Sequence, residues 1–491
     1  MTMIKHISAY QGRFDKFDAV IVGSGPSGAT VARTLAEQGK DVLILELGGL
    51  ASPGEVLGTH QSIYSRAITG TGLQDGNPWT ACCVGGGMQF YSAITFRYRE
   101  VDMRISRYLH SDMEMDWPIT LQDLEEHYGY IESLLGMQDV SSYPFSARGK
   151  KIAHAMASLG YRPRNMPLAI VPAGSDNGCH FCSACDSRSC TTGAKASILN
   201  RSVIDDTALP GSITVLFGCM VNSIRLSNEG HAESAECYIP FSSEHLSIPV
   251  EKIICCGNAI QTSALLLRST SVFAPRGIGN ENDLVGRGLS FKITGYTTGS
   301  NPAWMKEDGL CAPHQGAPAS VYTDDFYQNS DVPTGIGGLL YEVASPEPLR
   351  NIGRIRLHYL AGEEAWSHNR ITLDEHQDEF GNPLIKFNYK NSDSDLARIG
   401  FMAARAEEIL REAGAKTIER EPSVHNKGGS HLHGTARAGT DATRSVVDVS
   451  GRVHGYDNIY VMDASVMTFA GNSNPTHTIM ANARRMAVAM R

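Results

Sequence analysis

No stretch of this chain stays apolar for the roughly 20 residues that a membrane-spanning helix needs, and no run of one charge sign is long enough to mark a nucleic-acid-binding or lipid-binding tail. Repeats and low-complexity tracts are absent, so nothing points to a repeat architecture. The opening residues, MTMIKHISAYQGRFDKF, carry neither an apolar secretory core nor a twin-arginine pair, and a cytoplasmic protein with no membrane span is expected. A net charge of −9 without long single-sign blocks favours a small neutral or cationic partner over nucleic acid. Eleven cysteines are an odd number for a fully paired secreted framework. What is present, 491 residues with 42% hydrophobic content, suffices for two lobes with cores of their own and points to a large globular enzyme.

Residues 18–46, DAVIVGSGPSGATVARTLAEQGKDVLILE, read as strand, glycine-rich turn, helix and second strand ending in an acid. In such a βαβ unit Gly23 permits the tight turn, Gly25 lets backbone approach a pyrophosphate, and Gly28 allows helix to pack closely on strand. The helix N-terminus, with Ser24 and Ser27 beside the glycines, faces the phosphate charge. Glu46 stands where an acid accepts hydrogen bonds from ribose hydroxyls. The motif alone does not separate NAD from FAD, although its place near the N-terminus leans toward FAD.

Four further segments carry a resemblance. Residues 79–99, WTACCVGGGMQFYSAITFRYR, hold Gly85, Gly86 and Gly87; 114–136 pair a Trp-Pro turn with an amphipathic pattern; 253–269, IICCGNAIQTSALLLRS, give strand, Gly257 and helix; 459–480 read IYVMDASVMTFAGNSNPTHTIM. In order, and over nearly the whole length, these resemble the glucose-methanol-choline (GMC) oxidoreductase family. The resemblance implies FAD as cofactor, with Gly86 and Gly87 beside the flavin, Asp463 and Ala464 near the pyrophosphate and ribityl chain, Val221 at the adenine and Gly257 in the nucleotide pocket. Pro475 and Thr476 open a final helix whose positive end suits the negative charge that gathers on a reduced flavin.

The segment 430–440, SHLHGTARAGT, resembles the family's H-x-x-G-T element and makes His431 the candidate catalytic base. Removing a hydride from an alcohol carbon requires the hydroxyl proton to leave too, which a neutral imidazole with a pKa near neutrality would accept. The second active-site position is Asn474, giving the His-Asn pairing of sterol and pyranose oxidases and pointing to the pyranose oxidase and glycoside 3-oxidase-like branch. The plain alternative is that Asn474 caps the last helix. His433 and His477 are the candidate substrate-contacting histidines, and His425 also lies nearby. Ala436-Arg437-Ala438-Gly439 departs from the family's usual C-R-M-G, which weakens inferences about the pocket but not about the class.

Cys179, Cys182, Cys185 and Cys190 are spaced C-x2-C-x2-C-x4-C before a Gly-Ala-Lys turn, a spacing that resembles an iron-sulfur site. Zinc, free thiols and a disulfide are the competing readings. The stretch Trp79 to Tyr91 holds no histidine for covalent flavin attachment, so FAD is expected to bind non-covalently, with Cys82 and Cys83 as packing residues.

The expected fold is α/β with interleaved domains: a Rossmann-type FAD-binding domain from 15–105, 196–290 and 425–491, and a substrate domain from 106–195 and 291–424 built on an antiparallel sheet covered by helices. Runs such as RIRLHYLAG and ITLDEH with a turn at FGNPL suit that sheet, and 393–413 reads as a helix. The expected function is oxidation of the CH–OH group of a sugar, glycoside or amino sugar by hydride transfer to flavin, with oxygen, a quinone or a redox protein as acceptor. A sterol or other apolar alcohol, and a flavin/iron-sulfur electron-transfer subunit, are the alternatives.

Overall fold

The computed structural model describes residues 3–60, 68–71, 78–137, 145–182, 185–201, 203–313, 316–345, 347–421 and 431–490. Six parallel strands form the first sheet, in the order Met3–His6, Ser212–Phe217, Asp41–Glu46, Ala19–Val22, Ile253–Cys255 and Ile459–Val461. Its inner strands are near-continuous apolar runs because both faces of a parallel sheet are covered, and Val42 through Leu45 are all buried. The helix Pro26–Glu37 starts with proline in its first turn and presents Gly28, Ala29, Ala32 and Ala36, small enough to lie close on the strands. It packs against the C-terminal helix Thr476–Ala489, which also packs against Gln122–Leu135. The fold is α/β, with a Rossmann-like unit at its start.

A second, antiparallel sheet runs in the order Thr417–Arg420, Lys292–Ser300, Arg354–Gly362, Leu339–Glu342, Val321–Thr323 and Arg164–Asn165. Burial alternates along Lys292–Ser300. Ile293 joins Leu357, Tyr359 and Ala361 in a core with Met402, Ala406 and Ile409 of the helix Asp393–Glu412. The period of two then turns Thr294 and Tyr296 to the opposite face, toward the first sheet. That helix is capped by Ser392, whose side chain accepts from the Asp395 N–H.

The run ITLDEH does not join this sheet. Arg370–Gln377 forms a hairpin with Pro383–Asn388, and Ile68–Thr71 adds in parallel, making a separate three-stranded sheet packed on the helix Asn258–Arg268. The reason is local: the turn at Gly381, with φ of +77°, brings the two strands together as a hairpin, satisfying their backbone without the roof sheet. A three-stranded meander, Met220–Leu226, Ala232–Ile239 and Glu244–Pro249, completes the strands. Among the described residues no helix is long and apolar enough to cross a membrane.

Candidate active site

The carboxyl ends of the parallel strands and the open face of the antiparallel sheet enclose a cavity of about 490 Å³. Ligands of open α/β sheets bind at this end. Of the expected cofactor residues, Gly23, Gly25, Ser27, Glu46, Gly86, Gly87, Val221, Gly257, Asp463, Ala464, Pro475 and Thr476 line it. Ser24 and Gly28 do not; each acts from behind the wall. The Ser24 hydroxyl donates to Glu46 at 2.7 Å and accepts from the Gly85 N–H at 3.1 Å, bracing the two glycine loops to the acid. A Cβ on Gly28 would lie 2.0 Å from the Gly23 carbonyl oxygen, so only glycine lets the helix sit this close.

The cradle fits a dinucleotide. A Cβ on Gly25 would meet nothing within 4 Å, leaving space beside the N-terminus of the helix Pro26–Glu37 for a group approaching the backbone. Gly86, at φ of +55°, lies against Gly25, where a Cβ would be 3.0 Å from the Gly25 Cα. Glu46 accepts from the backbone N–H groups of Ser24 and Gly48 at 3.0 and 2.9 Å, and burial raises its carboxyl pKa. Asp463 is fastened by Thr262 at 2.6 Å and by the Asn258 N–H at 2.9 Å. The Val221 carbonyl is already taken by Arg268 at 3.0 Å.

At the other end of the cavity stand His431 and Asn474, with Thr294, Tyr296, Tyr341 and His358 above them. His431 Nδ1 and Asn474 Oδ1 are shut off from solvent and have no hydrogen-bond partner. Both residues line the cavity, so polar atoms of a ligand held there could complete them. His431 also holds a left-handed backbone, φ +64°, a conformation that non-glycine residues keep mainly where the surroundings enforce it. Asn474 is not spent as a helix cap: the last helix begins at Thr476 after Pro475, without a side-chain cap. The Asn474 side chain lies instead against the Tyr341 hydroxyl.

The expected near-neutral pKa of His431 does not hold. Burial, reinforced by the Lys292 ammonium, brings it down to about 3, so the ring stays neutral and keeps a free lone pair across the physiological range. His433 and His477, expected at the substrate, do not line the cavity. His433 turns back to the His431 carbonyl, 3.2 Å from its Nδ1, and His477 is buried against Tyr128, its Nε2 3.3 Å from that carbonyl. The helical spacing places His477 on the face packed against Gln122–Leu135, away from the cavity. His425 lies outside the described residues.

The structure gives the iron-sulfur and zinc readings of the cysteines no support. Among the described residues no three His, Cys, Asp or Glu side chains come together to hold a metal. Cys179 and Cys185 are buried in the apolar core while Cys182 is exposed. The roof residues Tyr296, Tyr341 and His358, and Asp186 within the cysteine run, were not singled out from the sequence; strand alternation was the available signal for the first three.

Two family models describing GMC oxidoreductases match residues 112–293 and 365–483, and a model of NAD(P)-binding Rossmann-like domains matches 21–64. The chain is 34% identical over 502 residues to 6'''-hydroxyparomomycin C oxidase of Streptomyces lividus, covering 96% of this chain and 91% of the relative. The chain belongs to the GMC oxidoreductase family. Paromamine 6'-oxidase of Streptomyces fradiae is likewise 34% identical, over 96% of this chain and 91% of its own. Among solved structures, pyridoxine 4-oxidase from Mesorbium loti superposes with a TM-score of 0.68 at 17% identity, over 96% of this chain and 99% of that one, which supports the fold. These relatives do not single out the pyranose oxidase or glycoside 3-oxidase branch; the two at 34% identity are a 6'''-hydroxyparomomycin C oxidase and a paromamine 6'-oxidase. GMC oxidoreductases bind FAD through the Rossmann-like domain, and this GMC oxidoreductase keeps the glycine cradle and the acid that such binding uses.

Proposed function

We propose that this GMC oxidoreductase oxidises an alcohol CH–OH of an amino sugar to the carbonyl, with FAD held non-covalently. The observation that carries the proposal is the pair of unpartnered buried atoms, His431 Nδ1 and Asn474 Oδ1, in the wall of the cavity whose far end is the glycine cradle. FAD, when bound, supplies the two-electron acceptor. His431, kept neutral by burial, presents a free lone pair to the hydroxyl proton of the alcohol. Asn474 and the Tyr341 hydroxyl hold the alcohol oxygen, and the roof strands exclude water from the end where the proton moves.

The 34% identity, along almost the entire chain, to a 6'''-hydroxyparomomycin C oxidase and a paromamine 6'-oxidase supports the amino-sugar class. The lining near His431, with Thr294, Tyr296, Tyr341, His358 and Asp186, is polar and suits a sugar better than a sterol. Non-covalent binding is supported by Cys82 and Cys83, whose buried thiols are held well above their ordinary pKa and are poor nucleophiles.

An anaerobic visible spectrum of the purified protein, titrated in turn with paromamine, methyl glucoside and cholesterol, tests this. Flavin bands that bleach with paromamine are expected. Bleaching by cholesterol alone would remove the amino-sugar class, and an absence of flavin after reconstitution with FAD would remove the cofactor.

A further inference from the structure

Four carboxylates line the cavity: Glu46, Asp186, Asp378 and Asp463. Three are engaged in holding the fold. Glu46 and Asp463 accept the bonds described above, and Asp378 accepts from the N–H groups of Phe380 and Asn382, both at 2.9 Å. Asp186 differs in position and in partners. It stands at the roof end, close enough to Tyr296 and Tyr341 that its charge raises both phenols, and Tyr341 in turn touches Asn474.

The backbone around Asp186 is built to hold it there. Lys195, from the Gly-Ala-Lys turn, is buried and donates to the Cys185 and Arg188 carbonyls at 2.8 and 2.6 Å, gripping the chain on both sides of Asp186, and to the Tyr91 carbonyl at 2.8 Å. The next residue, Ser187, adopts a left-handed backbone at φ of +60°. A non-glycine residue in that region is a feature the surroundings impose, and such features gather at ligand sites. The hydroxyls of Ser92 and Ser187 flank the carboxylate and also line the cavity.

Burial pushes the Asp186 carboxyl up against the pull of two cations, Arg356 and Lys195, and of the Ser187 and Ser92 hydroxyls. Arg356 also pairs with Glu421 at 3.2 Å and lies 3.6 Å over the Tyr296 ring, and Lys195 also donates to carbonyls. A buried carboxyl facing the cavity beside two phenols gains a charge-assisted hydrogen bond from a ligand that brings an ammonium.

We propose that Asp186 is a specificity-determining residue, receiving the protonated amine of the substrate while the alcohol lies between His431 and Asn474. This rests on the amino-sugar reading above. It also gives the cysteine-rich segment a structural role, since Cys185 carries a carbonyl that positions Asp186.

The test compares methyl glucosaminide, its N-acetyl derivative and methyl glucoside as reductants of the bound flavin in wild type, Asp186→Asn and Asp186→Glu. The wild type is expected to prefer the free amine. Asp186→Asn should raise KM for methyl glucosaminide on the order of 100-fold, with kcat changed far less and with a much smaller change in KM for methyl glucoside. Asp186→Glu should retain part of the preference. Flavin content and melting temperature check folding, and calorimetric binding of methyl glucosaminide to the oxidised enzyme reads the same contact without turnover. An undiminished preference for the free amine in Asp186→Asn overturns the role of Asp186 and leaves the amino-sugar reading standing. Equal use of all three compounds by the wild type removes the amino-sugar reading itself. Should Asp186→Asn lose FAD, loss of amine binding in Asp186→Asn by calorimetry with retention in Asp186→Glu supports the proposal, and equal binding by both overturns it.

Discussion

Lys292, at the start of its roof strand, donates to the Ala470 carbonyl at 2.5 Å, in the loop that leads to Asn474. The Gly471 carbonyl accepts from the same ammonium, and Asp102 accepts from the Asn472 N–H and side-chain amide at 3.0 and 2.9 Å. A single buried cation thus fixes the approach to Asn474 and, by its charge, depresses the pKa of His431.

Lys292→Met should keep bound FAD but slow flavin reduction about tenfold or more, because the loop carbonyls lose their donor. Stability supplies a second readout. Burial lowers the Lys292 pKa from 10.5 to about 7, so between these values the folded chain binds fewer protons than the unfolded one. Its contribution to stability therefore rises with pH across that window, the penalty being full below about 7. The melting-temperature difference, wild type minus Lys292→Met, should grow from pH 7 to 10; a constant difference would show that Lys292 is not desolvated as its burial implies.

His431→Ala should retain FAD and lose flavin reduction by a factor of roughly a hundred or more. In wild type, the low pKa means that no acid limb from this ring appears near pH 6.5 in the rate of flavin reduction. The same shift makes stability fall as pH drops through the window from 6.5 to about 3, since only the unfolded chain takes up the proton there. A rate profile with an inflection at 6.5 that disappears in His431→Ala would contradict the burial argument.

How much of the site was legible in the sequence depended on how local the controlling physics is. Gly23, Gly25, Gly28 and Glu46 are bound by one strand-turn-helix-strand unit, so spacing along the chain sets their geometry, and they come together at the strand ends. The roof is different. Tyr296, Tyr341 and His358 come from three strands whose facing is set by register, and register depends on pairings hundreds of residues away from the glycine turn. The regular spacing of four cysteines suggested a metal, whereas the tertiary packing uses two of them as core residues and places Asp186 between them and the cavity. His477 was misread for the same reason: its neighbours in sequence belong to the site, but the helical turn carries its side chain to the other face.

Asn474→Ala separates two roles. Because the final helix starts at Thr476 without a side-chain cap, removing the amide should cost only its contact with the Tyr341 hydroxyl, about 1 kcal/mol. Flavin reduction should slow about tenfold, mostly in kcat, through loss of the group that orients the alcohol oxygen. Thermal denaturation alongside stopped-flow reduction measures both, and a large loss of stability with normal kinetics would restore Asn474 as a helix cap.

Gly25 and Gly28 sit three residues apart in one motif, yet they answer to different neighbours. A methyl group on Gly28 would lie 2.0 Å from the Gly23 carbonyl oxygen, backbone against backbone, so Gly28→Ala must displace the helix from the strand. It should cost about 1–3 kcal/mol of stability even without cofactor. Gly25 has an extended backbone, φ −62° and ψ −177°, which alanine adopts without strain, and its Cβ would meet no protein atom within 4 Å. Gly25→Ala should therefore leave the apoprotein's melting temperature unchanged while sharply weakening FAD retention, because the methyl group occupies the space that a pyrophosphate needs. Flavin fluorescence released on dilution, measured beside apoprotein unfolding, resolves the two cases. If Gly25→Ala held FAD as tightly as wild type, the nucleotide would have to lie elsewhere in the cavity, and the cradle between Gly25 and Gly86 would lose its assigned role.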